Sequence, residues 1–93
     1  MSEEQIHHLL LYDYVDDMLE RRVPYRAAHL ERISAQRDAG RIVSAGALGD
    51  PPRGAAIVFR GVDRDAIEEF VRGDPYVQAG LVTAWRVEVW KLA

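Results

Sequence analysis

The chain reads as an α+β domain with the element order β-α-β-β-α-β, its four strands forming one antiparallel sheet. Three observations carry this reading. Four short segments, 6–14, 41–48, 55–60 and 83–92, are rich in apolar, β-branched or aromatic residues and have strand-like lengths. The segment between the first two opens near Pro24 and stops at Gly40, and the segment between the last two opens at Asp63; both are patterned as helices. The run Gly49-Asp50-Pro51-Pro52-Arg53-Gly54 is only loop-sized, and the third strand is entered through it. This order is the split βαβ, or ferredoxin-like, arrangement.

Each element has a local reason. In Ile6–Tyr14, residues of alternating parity fall on opposite faces: His7, Leu9 and Leu11 on one, His8, Leu10, Tyr12 and Tyr14 on the other. Val15 to Arg22 carries alternating charges and reads as a short helix. Pro24 suits the first turn of a longer helix, where its missing N–H costs nothing. That helix runs to Ala39, and Gly40 supplies the left-handed position that follows. Its buried stripe is expected at Val23, Ala27, Leu30 and Ser34, with Ile33 beside it. Arg41–Leu48 and Ala55–Arg60 are the middle strands. Asp63 caps a helix through Arg72, with Ala66, Ile67, Phe70 and Val71 as its buried stripe. In the last strand Thr83, Trp85, Val87 and Val89 face one way, and Ala84, Arg86, Glu88 and Trp90 the other.

Composition narrows the function. Ninety-three residues make one small domain, residues 1–93, with a modest core. There is no cysteine, which removes thiol nucleophiles and thiolate metal sites and fits a reducing cytoplasm. A net charge of -3 argues against nucleic acid, which demands a basic face. No apolar run approaches the roughly 18 residues of a membrane span. The first five residues, Met-Ser-Glu-Glu-Gln, are acidic where a signal peptide is basic. His7 and His8 are adjacent on a strand and cannot chelate one metal, and no other spacing resembles a metal site. No Gly-rich phosphate loop follows a strand. No cofactor is expected.

Two helices cover only one face of a four-stranded sheet, yet both faces look apolar. A sheet open to water on one side shows a cleaner alternation. A second copy of the chain is the simplest cover, so a homodimer is expected. On this reading a charge placed at Leu10 or Val58 weakens assembly; if the faces are reversed, it damages the core instead.

The topology gathers distant segments at one sheet edge. The end of the first strand (Tyr12 to Tyr14), the early part of the long helix (Pro24 to His29), the end of the second strand and Gly73-Asp74-Pro75-Tyr76 all arrive there. His29 then lies roughly 8 Å below the start of its helix at 1.5 Å per residue, close to Asp74. A pocket for a small molecule near this edge is the expected site.

Three stretches carry a family resemblance. They are Arg26-Ala27-Ala28-His29-Leu30 followed by Gly40-Arg41-Ile42, then Ser44-Ala45-Gly46-Ala47-Leu48, then Asp74-Pro75-Tyr76-Val77-Gln78-Ala79-Gly80-Leu81 with a closing Val89-Trp90. In order and spacing they resemble the YciI-like, or YCII-related, family over nearly the whole chain. The resemblance implies a dimeric α+β barrel, in which two sheets face each other, and a His–Asp pair carried here by His29 and Asp74. It also implies relatives that include an enzyme removing chloride from a chlorinated hydroxyhydroquinone.

Each singled-out residue has a functional and a structural reading. His29 is a general base oriented by a carboxylate, or a half-exposed helix histidine beside Arg26 and Ile33. Asp74 orients His29, or caps the turn that Pro75 opens and Gly80 closes; one carboxylate has oxygens for both. Tyr12 hydrogen-bonds a substrate oxygen, or is an ordinary cross-strand aromatic. Arg26 binds an anionic substrate, or is solvated. Two functions follow. One is a cofactor-free lyase or isomerase that moves a proton on a small oxygenated ring. The other is a non-catalytic ligand-binding or accessory dimer using the same pocket.

Overall fold

The computed structural model describes residues 6–93; the acidic stretch 1–5, read above against a signal peptide, lies outside the described residues. In chain order the elements are β1 (Ile6–Tyr14), α1 (Met18–Arg21), α2 (Arg26–Asp38), β2 (Ile42–Leu48), β3 (Gly54–Arg60), α3 (Arg64–Gly73), α4 (Pro75–Gln78) and β4 (Val82–Lys91). The sheet order is β2-β3-β1-β4, with every neighbouring pair antiparallel. The fold is the α+β, ferredoxin-like arrangement, with short helices α1 and α4 added beside the two long ones. No helix among the described residues is long and apolar enough to cross a membrane.

Helix ends sit where local chemistry puts them. The Asp63 carboxylate accepts from the Ala66 N–H at 2.9 Å and caps α3. Gly40, at φ 77°, takes the left-handed turn after α2. Asp74 stands between α3 and α4, ending one and capping the other, with Pro75 in the first turn of α4.

The register decides which face is the core. Leu10 pairs with Ile57 and Tyr12 with Ala55, and all four are buried against the helices with Phe59, Ile67, Phe70 and Val71. Leu9 pairs with Val58 and Leu11 with Ala56; these four are half-buried on the opposite face. Leu10 and Val58 therefore lie on opposite faces, and the expectation that both mark the assembly surface is corrected. Residues opposite one another in an antiparallel pair share a face, so Leu10 goes with Ile57 into the core.

The stripe expected on α2 is also corrected. Its buried residues are His29 and Ile33, while Val23 is 71% and Leu30 42% exposed. Reading only apolar residues misplaced the stripe, because this helix turns a histidine inward. On α3, Ile67, Phe70 and Val71 are buried as expected, but Ala66 is exposed.

The two long helices are joined across their interface by Arg32. Its guanidinium donates to the Phe70 carbonyl at 2.8 Å and lies 4.6 Å from the centre of the Phe70 ring. One turn before Arg32 is His29, and one turn after Phe70 is Asp74. On the sheet, Gly54 lies so close to the Tyr12 carbonyl that a Cβ there would overlap it. A side chain at 54 would push β3 off β1 where Tyr12 is held.

Candidate active site

Asp74 is fully buried, and a buried carboxylate is costly unless its oxygens are satisfied. Here both are. Oδ1 accepts from the Tyr76 backbone N–H at 3.0 Å and meets His29 Nδ1 at 2.8 Å. Oδ2 accepts from the Tyr12 hydroxyl at 2.8 Å. The residues come from α2, β1 and the α3–α4 junction, 45 and 62 positions apart in sequence for the two side-chain bonds. Asp74 thus caps α4 and holds His29 at once.

The network assigns the histidine tautomer. An amide N–H and a phenol already donate to Asp74, so its carboxylate acts as an acceptor and His29 Nδ1 carries the donated proton. The imidazole is fixed a second way. It stacks on the Tyr76 ring with centroids 3.8 Å apart and planes 8° from parallel. Nε2 has no hydrogen-bond partner among the described residues, and His29 forms part of the wall of a cleft of about 350 Å³.

The cleft runs between α2 and the helix-facing side of β2 and β3. Its apolar wall includes Leu30, Ile33, Ala45 and Ile57; its polar wall includes Arg22, Arg26 and Arg37. Arg26, named from sequence, is at this wall. Tyr12 is not among the lining residues: its hydroxyl is spent on Asp74 and the residue is 1% exposed. The tyrosines that line the cleft are Tyr14 and Tyr76, both placed at this edge from sequence but given no role in the site. Among the described residues no group of three or more acidic or histidine side chains is placed to hold a metal ion.

The family model of the YCII-related domain matches residues 6–91. The chain belongs to the YCII-related family. It is 31% identical over 84 residues to Protein YciI of Escherichia coli O6:H1, covering 81% of this chain and 86% of that one. The same figures hold for Protein YciI of Shigella flexneri. Among solved structures, it is similar to 5-chloro-2-hydroxyhydroquinone dehydrochlorinase of Burkholderia phenoliruptrix in complex with 2,5-dihydroxybenzoquinone. That match has TM-score 0.78 and 26% identity, over 91% of this chain and 93% of the other. A protein from Shewanella oneidensis shares the fold at TM-score 0.58 and 21% identity, over 96% and 91% of the two chains.

In this YCII-related chain the tyrosines around Asp74 titrate abnormally. Burial, with Asp74 adding to it, pushes the Tyr12 phenol far above its ordinary value. Burial also raises Tyr14, helped by Tyr76 and Asp74 and opposed by Arg22. Burial raises Tyr76, with Arg22 and Arg26 opposing and Asp74 adding. Tyr12 therefore stays a protonated donor to Asp74 across the working range of pH.

The same shift fixes a sign for stability. Below the ordinary value of 10.0 both folded and unfolded chains hold the Tyr12 proton. Above it the unfolded chain releases the proton and the folded chain keeps it. The unfolded state then binds fewer protons, so stability falls as pH rises. Tyr12 alone adds up to about 1.4 kcal/mol per pH unit to that fall. Urea unfolding from neutral pH into strong alkali should show the decline, and Tyr12→Phe should flatten it. An equal slope in both proteins would contradict the burial of this phenol.

Proposed function

We propose that this chain is a small-molecule enzyme of lyase or isomerase type that works without a cofactor. His29 is its acid–base residue, Asp74 orients His29, and the cleft beside them binds the substrate. One observation carries the reading: the imidazole is held at Nδ1 and across one ring face, which leaves Nε2 without a partner at a cleft. A ring fixed this way can accept a proton at Nε2 while the carboxylate stabilises the imidazolium. The electron pair left on the substrate then either shifts within the molecule, with the proton returned elsewhere, or expels a leaving group. The similarity to a dehydrochlorinase supports this class of chemistry. Arg26 binds substrate. Tyr12, placed behind Asp74, acts as a positioning residue rather than a substrate contact. Screening small oxygenated rings against wild type and His29→Gln tests the reading. Ligand retained tightly by wild type with no turnover on any ring would favour the accessory binder instead.

The working form is a homodimer, with the cytoplasm as its proposed location. Leu9, Leu11, Ala56 and Val58 form an apolar strip on the sheet face that carries no helix. A second copy laid on this strip removes it from water. Val58→Asp should leave each chain folded and convert the dimer to monomer in light scattering. Leu10→Asp should instead unfold the chain, because Leu10 is 0% exposed among core residues. A Val58→Asp protein of unchanged mass would sink the face assignment.

A further inference from the structure

We infer that the cleft takes an organic dianion: a small molecule with one acidic group beside His29 on Arg22 and Arg26, an apolar body, and a second acidic group at Arg37. The inference deepens the proposed function and rests on its assignment of this cleft as the substrate site.

Charge is the first argument. The chain carries a net charge of -3, yet the cleft is lined by Arg22, Arg26 and Arg37 and by no aspartate or glutamate. Elsewhere on the surface Arg21, Arg64 and Arg86 pair with Asp17, Glu68 and Glu88, while Arg41, Arg53, Arg60 and Arg72 take no acidic partner among the described residues but are not gathered in this cleft. The three cleft guanidinium groups take none among the described residues. Unpaired arginines gathered on a concave wall present fork-shaped donors that match carboxylate or phenolate oxygens.

Position along α2 is the second argument. Arg26, Leu30, Ile33, Ser34 and Arg37 all line the cleft. Their spacing is that of one helix face, so the cleft runs lengthwise along α2. At 1.5 Å per residue, the backbones of Arg26 and Arg37 are about 16 Å apart along the axis. Long side chains shorten the gap that a ligand spans. Arg22 and Arg26 belong to the His29 end: Arg26 opens α2 three residues before His29, and the Arg22 carbonyl accepts from the Tyr25 N–H just ahead of that helix. Arg37 stands alone at the far end. Between the poles the wall is apolar, from Leu30 and Ile33 across to Ala45, Ala55 and Ile57. The cleft, about 350 Å³, is of the size that holds one substituted ring.

The test is calorimetric titration with terephthalate, benzoate and benzamide at one fixed ionic strength. These probes share a ring and differ in carrying two, one and no negative charges. Terephthalate should bind tightest, benzoate more weakly and benzamide not measurably. Arg37→Gln should weaken terephthalate about tenfold, the equivalent of one charge-assisted contact, and leave benzoate within about twofold. Arg26→Gln should weaken both acids. Thermal melts of both variants should match wild type, because Arg26 and Arg37 are exposed and make no side-chain bonds within the described chain. Benzamide binding as well as benzoate, neither acid binding, or Arg37→Gln treating both acids alike would each overturn the inference. His29→Gln separates it from the proposed reaction. That variant should still bind terephthalate, so dianion binding without turnover on any ring would remove the enzyme reading and leave this one standing.

Discussion

Asp74→Ala should destabilise the fold by about 3–5 kcal/mol, because each buried donor left without an acceptor costs about 1–3 kcal/mol. The substitution strips the acceptor from three donors at once: the Tyr12 hydroxyl, the Tyr76 amide and His29 Nδ1. Tyr12 is 1% exposed and has no water to turn to. The same change removes the cap of α4. Small domains have only about 5–15 kcal/mol of net stability, so the loss is a large share of the total. Asp74→Asn should behave differently. Its amide oxygen can stand at the Oδ1 position and accept from His29 and Tyr76, while its NH₂ donates to the Tyr12 oxygen. The His29 and Tyr76 donors keep their acceptor, but the buried Tyr12 proton loses its own, so the cost should be about 1–3 kcal/mol, less than for Ala. Urea unfolding of the two variants measures the difference. Equal costs for Ala and Asn would mean that the network around Asp74 is not what holds this end of the fold.

His29→Gln should reduce turnover of a true substrate by about 10²- to 10⁴-fold, the range for loss of a general acid–base group. Binding should change much less, because the arginines and the apolar wall remain. Asp74→Asn should fall toward the same activity while staying folded, since a neutral amide keeps the ring in place but does not stabilise the imidazolium. A mere structural role for the pair predicts the opposite order, with activity following stability across the variants. Steady-state rates set beside the unfolding midpoints of the same proteins separate the two.

Much of this arrangement was legible in the residues because it rests on strong local chemistry. The bounds of β1 followed from alternation, the start of α3 from Asp63 and the end of α2 from Gly40. Topology brought the segments of His29 and Asp74 to one sheet edge, and the family resemblance singled the two out as a pair. Side-chain direction was harder to read. The α2 stripe was misplaced because an apolar pattern gives no weight to a buried histidine, and Leu30 faces a cleft rather than the core. Leu10 and Val58 were put together because parity within a strand does not state the register between strands. Tyr12 was left between a substrate contact and a cross-strand aromatic because its partner, Asp74, lies 62 positions away. Arg22 and Arg37 were passed over, although Arg26 and Arg37 stand three helical turns apart beside Leu30 and Ile33. That spacing was a usable signal once the cleft, rather than the core, is taken as what the stripe faces. Tyr76 had no such signal, because its stacking on His29 depends on how α4 is seated.

Asp74 holds the Nδ1 proton of His29, which leaves Nε2 without a partner at the cleft. Long-range proton–nitrogen NMR on ¹⁵N-labelled protein reads this directly, with the imidazole in its neutral form and no substrate needed. The expected species is the Nδ1–H tautomer at His29, with an unprotonated Nε2. A dominant Nε2–H tautomer would contradict it, because the nitrogen facing the cleft would then be a donor and no base.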